Sequence, residues 1–368
     1  RGKLSSRSDV IRLHDERGNL VDEVAYADAA PWPRWADGFG SSMELVHPHL
    51  DNALAMSWES SDDRAKSEWQ TFEYSKRNQR IFSEVDEEFQ LLLLTEGECL
   101  VRGVRVGPHD LPIDQHWSFL GTHEPSEGHT SSEESPNGAI RVRAEGRGNP
   151  RFNYASRALP RKLTKGKSYR VSFDAKWQRG SPLLLSRLAG QSLARRHQLV
   201  VPQQLGTPGQ PNSIYREHPP PSLGVPEQTP VVPTRTQKVI FVVKLSTPSK
   251  ISEAGIVYGR PDDEDWSEVR LRLWQPARAP GTSSIWRGRI PALPHGRVEY
   301  YLYARDKSGL TSTYPPRAPD HAVSMYAVGI VPHSRFPTYT LLLSDDEWER
   351  AEQRPRLSNL LSKGTLIF

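Results

Sequence analysis

Apolar and polar residues alternate with a period of two over short stretches along most of the chain, the signature of half-buried strands. Ser168-Tyr-Arg-Val-Ser-Phe-Asp-Ala-Lys-Trp177 sets Tyr169, Val171, Phe173, Ala175 and Trp177 on one face and Arg170, Ser172, Asp174 and Lys176 on the other. Gly166 supplies the turn before it. Strand patterns also cover 99–106 and 139–144. Near the start, 10–14 and 20–26 flank Glu16-Arg-Gly-Asn19 as a hairpin, and 42–46 reads as a third strand. Five strands are predicted at 238–244, 254–258, 268–273, 285–290 and 298–305, separated by turn residues such as Pro280-Gly281 and Lys307-Ser-Gly309. Short strands at that spacing read as a β-sandwich. The last segment differs: a strand at 338–343 meets Ser344, which caps a helix opening on Asp345, Asp346 and Glu347.

At 368 residues the chain is long enough for two to four domains. Its 31 prolines and 10 tryptophans fit β modules joined by loops, since proline blocks helix interiors and tryptophan suits strand faces. The predicted organisation is a first module at 1–69, a charged connector at 70–88, a second module at 89–202, a Pro-rich linker at 203–236, a third module at 237–332 and a C-terminal piece at 337–368. Pro219-Pro-Pro221 and its neighbours make the linker a semi-rigid spacer in this reading.

Each module carries a resemblance. Val21-Asp-Glu-Val, Pro31-Trp-Pro33, Asp37-Gly-Phe-Gly40, Asp51-Asn52 and Ser57-Trp58 resemble the C-terminal half of a lamin-tail domain, which implies an immunoglobulin-like β-sandwich without catalytic residues. Trp117, Gly121-Thr-His123 and the 168–177 strand resemble a galactose-binding-like or carbohydrate-binding jelly roll. Ile290-Pro291 with Val298-Glu-Tyr-Tyr301 and Asp306 to Gly309 resembles an immunoglobulin or fibronectin type III-like module. Pro337, Tyr339, Leu341 and Ser344 through Trp348 resemble the opening of a CotH kinase-like domain. The expected fold class is all-β and multi-domain: three β-sandwiches and a short α/β stub. ATP and a divalent metal belong, on the last resemblance, to residues after Phe368. A jelly roll is compatible with structural calcium, whose ligands the resemblance leaves unassigned.

Charge is uneven although the formal net is only +4. Residues 141–196 hold 15 Lys/Arg against Glu145 and Asp174, whereas 59–98 hold 11 acids against five bases. A basic block of that size can meet acidic polysaccharide, anionic lipid or nucleic acid, or face an acidic neighbour. No nucleic-acid motif accompanies it, so nucleic acid is a weak expectation. The single cysteine, Cys99, excludes an intramolecular disulfide and reads as a buried thiol. There is no Gly-x-Ser-x-Gly elbow and no phosphate loop, so no catalytic residue is assigned. His123, Glu124, Glu127, His129, Glu133 and Glu134 read as a solvated loop, and Asp262-Asp-Glu-Asp265 as a surface turn without calcium-loop spacing. No apolar run reaches the ~18 residues of a membrane helix.

Sugars stack on exposed aromatic rings while a few polar groups fix orientation. The candidate ligand contacts are therefore Trp117 and Tyr154, with Arg151 and Arg157 beside them; Trp177 lies in phase with the core. The expected function is a non-catalytic segment of an exported or cell-surface protein that mediates adhesion or glycan binding and spaces domains. The alternatives are an accessory region for a downstream CotH-like kinase and a pure scaffold. Both ends have the look of cut ends, Arg1 without a leader and Phe368 closing an apolar run, and the parent is expected to extend in both directions.

Overall fold

The 168–177 alternation is realised as the strand Ser168–Gly180, with Val171, Phe173, Ala175 and Trp177 buried. It lies at the centre of a sheet ordered Ile140–Ala144, Gly97–Val106, Ser168–Gly180 and Gln70–Arg77, with His109–Leu111 on its margin. A facing sheet runs Arg195–Gln198, Leu183–Leu188, Glu88–Leu93, Tyr154–Ala158 and Ser118–Leu120. All neighbours pair antiparallel, and Phe89, Leu91, Val101, Val171, Phe173 and Leu184 fill one core between the sheets. The computed structural model describes residues 4–79, 88–114, 116–120, 138–144, 154–261, 263–329, 339–354 and 362–367.

A second sandwich has the same logic. One sheet runs Ser222–Leu223, Val239–Ser246, Ser284–Ile290 and Arg272–Gln275, with Glu227–Thr229 also on Val239–Ser246. The other runs Ser267–Arg270, Ile251–Gly259, Gly296–Asp306 and Thr311–Tyr314, with Ser324–Val328 on Gly296–Asp306. Phe241, Val243, Ile256, Ile290, Leu302 and Tyr326 form its core. The fold is thus all-β and built from several antiparallel sheets.

Four expectations need correction. The strand predicted at 268–273 is two strands in opposite sheets. Leu271 is the buried crossover: its N–H donates to Ala254 O, leaving Ser267–Arg270 in one sheet and Arg272–Gln275 in the other. The crossover fits because position 288 is glycine; a Cβ there would meet Leu271 Cδ2 at 2.6 Å. The 70–88 connector is not one throughout, since Gln70–Arg77 is a full edge strand with Phe72 opposite Phe173. Its charged residues mask a Phe72/Tyr74 alternation, and residues 80–87 lie outside the described set.

The 203–236 segment is not a free spacer. It supplies two edge strands, and two buried carboxylates of the first module grip it. Glu44 accepts from Thr207 Oγ1 and from both the N–H and hydroxyl of Ser213 (2.8 and 2.9 Å); Asp63 accepts from Gly206 N–H at 2.9 Å. Burial works against both charges, yet hydrogen bonds from Thr207, Ser213 and Ser42 to Glu44, and from Lys66, Ser61 and Gly206 to Asp63, hold both carboxyls below their ordinary values. Residues 4–69, expected as part of a lamin-tail sandwich, form two separate two-stranded sheets, Ser8–His14 with Leu20–Ala27 and Met43–Leu45 with Trp58–Ser60. Apolar residues of the turns after the hairpin pack onto the neighbours, a Cβ at Gly180 meeting Trp35 at 2.7 Å and Met56 joining the second core, whereas Ile11, Leu13, Leu20 and Val21 of the hairpin are exposed. Arg34 pairs with Glu96 at 2.8 Å, and Asp51 N–H donates to Ser246 Oγ at 2.8 Å, so this segment touches both sandwiches.

At the C-terminus, Thr340–Leu343 pairs with Gly364–Ile367, and Ser344 caps the helix Asp345–Gln353 by accepting from Glu347 N–H, as predicted. Glu347 does not close a capping box; its carboxylate takes the Lys363 N–H and Arg350 instead.

Candidate anionic-ligand face

The residues chosen from sequence for sugar contact do not converge on a surface. Trp117 is only 4% exposed; it belongs to the first core, and its indole N–H donates to Pro112 O at 3.1 Å. The polar loop that suggested an exposed platform places its ring inward, because a large apolar ring gains more from burial than from display. Arg157 is committed to the Asp114 carboxylate, which it holds far below the ordinary range. Tyr154 is half-buried beneath the Arg187 guanidinium, 6.0 Å from the ring centre, and Arg187 is itself bonded to Gln90 at 2.8 Å. Arg151 lies outside the described residues, as do the 121–137 loop and Asp262.

The basic block is neutralised only in part where it is described: Arg161, Lys162, Lys165, Lys167 and Arg196 are exposed and have no carboxylate partner among the described residues. Glu98, fully buried, receives Arg179 at 2.7 Å and has Arg141 Nε 3.0 Å away, out of hydrogen-bonding alignment. Arg170 pairs with Glu73 and Arg102 with Asp174. One pair in this sandwich has the geometry of a nucleophile and base: Ser186 Oγ lies 2.8 Å from His197 Nε2. Both are buried, with Tyr74, Phe72 and Phe173 around the imidazole, so no substrate reaches them. Burial, with Arg195 nearby, pushes His197 down to about 4. Burial likewise pushes the Cys99 thiol up, away from reactivity. Among the described residues, no group of three His, Cys, Asp or Glu side chains is placed to hold a metal ion such as calcium.

A different surface gathers unpaired cations. On the second sandwich, Gly288 and Ile290 point into the core, so Arg287 and Arg289 point out. Arg272 sits directly opposite Arg287 on the neighbouring strand. Like charges so placed repel, typically by a few tenths to 1 kcal/mol. Among the described residues, Arg272, Arg287 and Arg289 have no carboxylate partner. Arg270 at the border does, pairing with Glu253 and Glu268. Trp274 stands beside them, 55% exposed, with the Arg287 guanidinium 5.8 Å from its ring centre. Arg272, Leu273, Trp274, Arg287, Arg289 and Ile240 line a groove of about 660 Å³.

Sequence reasoning predicted the 285–290 strand, ran 268–273 together as one strand, and missed this face. The signal was Arg270-Leu-Arg272-Leu-Trp274 beside Trp286-Arg-Gly-Arg289, where period two alone sends alternate arginines outward. The pattern lay in a segment of modest total charge, so a count of basic residues passed over it.

No protein-family model matches the chain, and no curated protein matches it. Solved structures with partial likeness include a DUF4785 family protein from Legionella pneumophila, 9% identical over 73% of this chain and 67% of that one, at a TM-score of 0.21. Another is the C-terminal domain of the Streptococcus pyogenes antigen I/II-family protein AspA, 7% identical over 88% and 98%, at a TM-score of 0.20.

Proposed function

We propose that the chain is a non-catalytic segment of an exported or cell-surface protein, in which the Arg–Trp face of the second sandwich binds acidic polysaccharide and the other modules hold that face in place. The observation that carries the reading is the cross-strand Arg272–Arg287 pair with Arg289 beside it, three exposed cations lacking acids, next to an exposed tryptophan. An anionic ligand relieves their mutual repulsion, and the indole offers a stacking surface for a sugar ring. On this reading the jelly-roll, fibronectin-like and CotH-like resemblances name the types of the later modules, and the glycan contact moves from the jelly roll to the fibronectin-like module. No helix among the described residues is long and apolar enough to cross a membrane.

The test is retention of the full chain on immobilised acidic polysaccharide against rising salt. The expected result is salt-sensitive retention that an Arg272→Ala/Arg287→Ala/Arg289→Ala triple variant abolishes without loss of folding. Retention unchanged in the triple variant, or none in the parent chain, sinks the reading. In the latter case the docking contacts at Glu44, Asp63 and Asp51 favour the spacer role alone.

A further inference from the structure

The cationic groove does not end at Trp274. A second cleft of about 350 Å³ opens on the other side of the indole, lined by Ile285, Val242, Val225, Lys244, Glu227 and Leu54. The strand register orders the two clefts along one line. Lys244 faces Ile285, Val242 faces Arg287, and Ile240 faces Arg289. Four residues of strand separate the Ile285 level from the Arg289 level, about 13 Å at ~3.3 Å per residue. Trp274 lines both clefts.

The two halves differ in charge. The Arg289 half carries three unpaired guanidiniums. The Ile285 half carries one cation, Lys244, and one anion, Glu227, around apolar Ile285, Val242 and the exposed Val225. Its far end is closed by the first module: Leu54 packs so closely that a Cβ at Gly224 would meet it at 3.2 Å. The composite end depends on the seating of that module through Asp51 on Ser246.

We propose that this outer groove binds an alternating acidic–neutral polysaccharide, an acidic sugar lying over Arg272, Arg287 and Arg289 and the adjoining neutral sugar over Ile285 and Val242, with Trp274 between them. The proposal rests on the acidic-polysaccharide reading of the face and adds the order of charge along the ligand. A nucleic acid bears a phosphate at every unit and needs cations along the whole groove, whereas here half the groove is neutral and holds Glu227. A peptide strand gains its affinity from a sheet edge, whereas two of the three strands under this groove, Val239–Ser246 and Ser284–Ile290, are paired on both sides and only Arg272–Gln275 is an edge.

The experiment is calorimetric titration of the full chain with three probes of matched length: hyaluronan hexasaccharide, in which every second sugar is charged, an oligogalacturonide, charged at every sugar, and single-stranded oligothymidylate. Hyaluronan is expected to bind about tenfold more tightly than the oligogalacturonide. Ile285→Lys, at an outward, half-exposed position, should make the neutral half cationic and reverse that order, while Arg287→Ala weakens both sugars. Equal or tighter binding of the oligogalacturonide by the parent chain, or no change of order in Ile285→Lys, overturns the alternation and leaves the acidic-polysaccharide reading standing. Tightest binding of oligothymidylate overturns both, as does no binding of any probe.

Discussion

In the first sandwich Arg141 and Arg179 converge on buried Glu98, Arg157 is held by Asp114 and Arg187 by Gln90; in the second, Arg272, Arg287 and Arg289 face solvent with no acid beside them among the described residues. By sequence the first is far the more basic, with 15 Lys/Arg in 141–196. By structure part of that charge is matched, because Glu73 and Glu98 precede the block and pair with Arg170 and Arg179 across neighbouring strands of one sheet, while Arg161, Lys162, Lys165, Lys167 and Arg196 have no carboxylate partner among the described residues. The diagnostic quantity is pairing, which depends on register, and not local composition.

The contrast is broken most strongly at Glu98. Glu98→Ala strands two guanidiniums against a core they were drawn into, and should cost roughly 3 kcal/mol of unfolding free energy, read by urea denaturation, with polysaccharide binding unchanged. A loss below about 0.5 kcal/mol would show that water already screens this pair.

A change of similar size is expected from pH. His197 is held at about 4 in the fold, against an ordinary value of 6.5, so the unfolded chain binds the proton more readily. Its contribution is complete above pH 6.5 and is lost as pH falls toward 4, about 3 kcal/mol over that span. His197→Gln should flatten the stability–pH curve of the first sandwich across that window; an unaltered slope refutes the assignment.

Gly288→Ala is the corresponding test in the second sandwich. A Cβ 2.6 Å from Leu271 overpacks the crossover and should cost about 2 kcal/mol. Because Gly288 lies between Arg287 and Arg289, polysaccharide affinity should fall as well; retained affinity with lost stability would separate the crossover from the face.

The smallest effect sharpens the comparison furthest. Arg287→Ala should leave stability unchanged or raise it by about 0.5 kcal/mol, since it removes a cross-strand repulsion, whereas truncating a paired arginine of the first sandwich should lower it. A clear destabilisation by Arg287→Ala would mean the guanidinium is structural, through its contact with Trp274.

Much of the fold was legible because alternation is a local signal: the 168–177, 238–244 and 298–305 strands follow it directly, as does the Ser344 cap. What escaped needed contacts distant in sequence. Gln70–Arg77 shows as a strand only when Phe72 meets Phe173, and the 203–236 segment as packed chain only when Glu44 and Asp63 find its donors. The crossover at Leu271 is invisible to periodicity, since the residues on either side keep alternating while the sheet changes. Trp117 reads as exposed in the sequence for a related reason: it and Trp274 both sit among polar residues, and only tertiary packing decides that the first is core and the second is surface.

The grip of Glu44 and Asp63 on the segment between the sandwiches has a mechanical reading. Chain from about 199 to 222 lies folded back against the first module instead of running straight to the second sandwich. Rupture of this handful of hydrogen bonds under tension would release up to about 80 Å of contour length between the two β-sandwiches. The two carboxylates act as a fuse, and acid, by protonating them, would lower the force at which it blows.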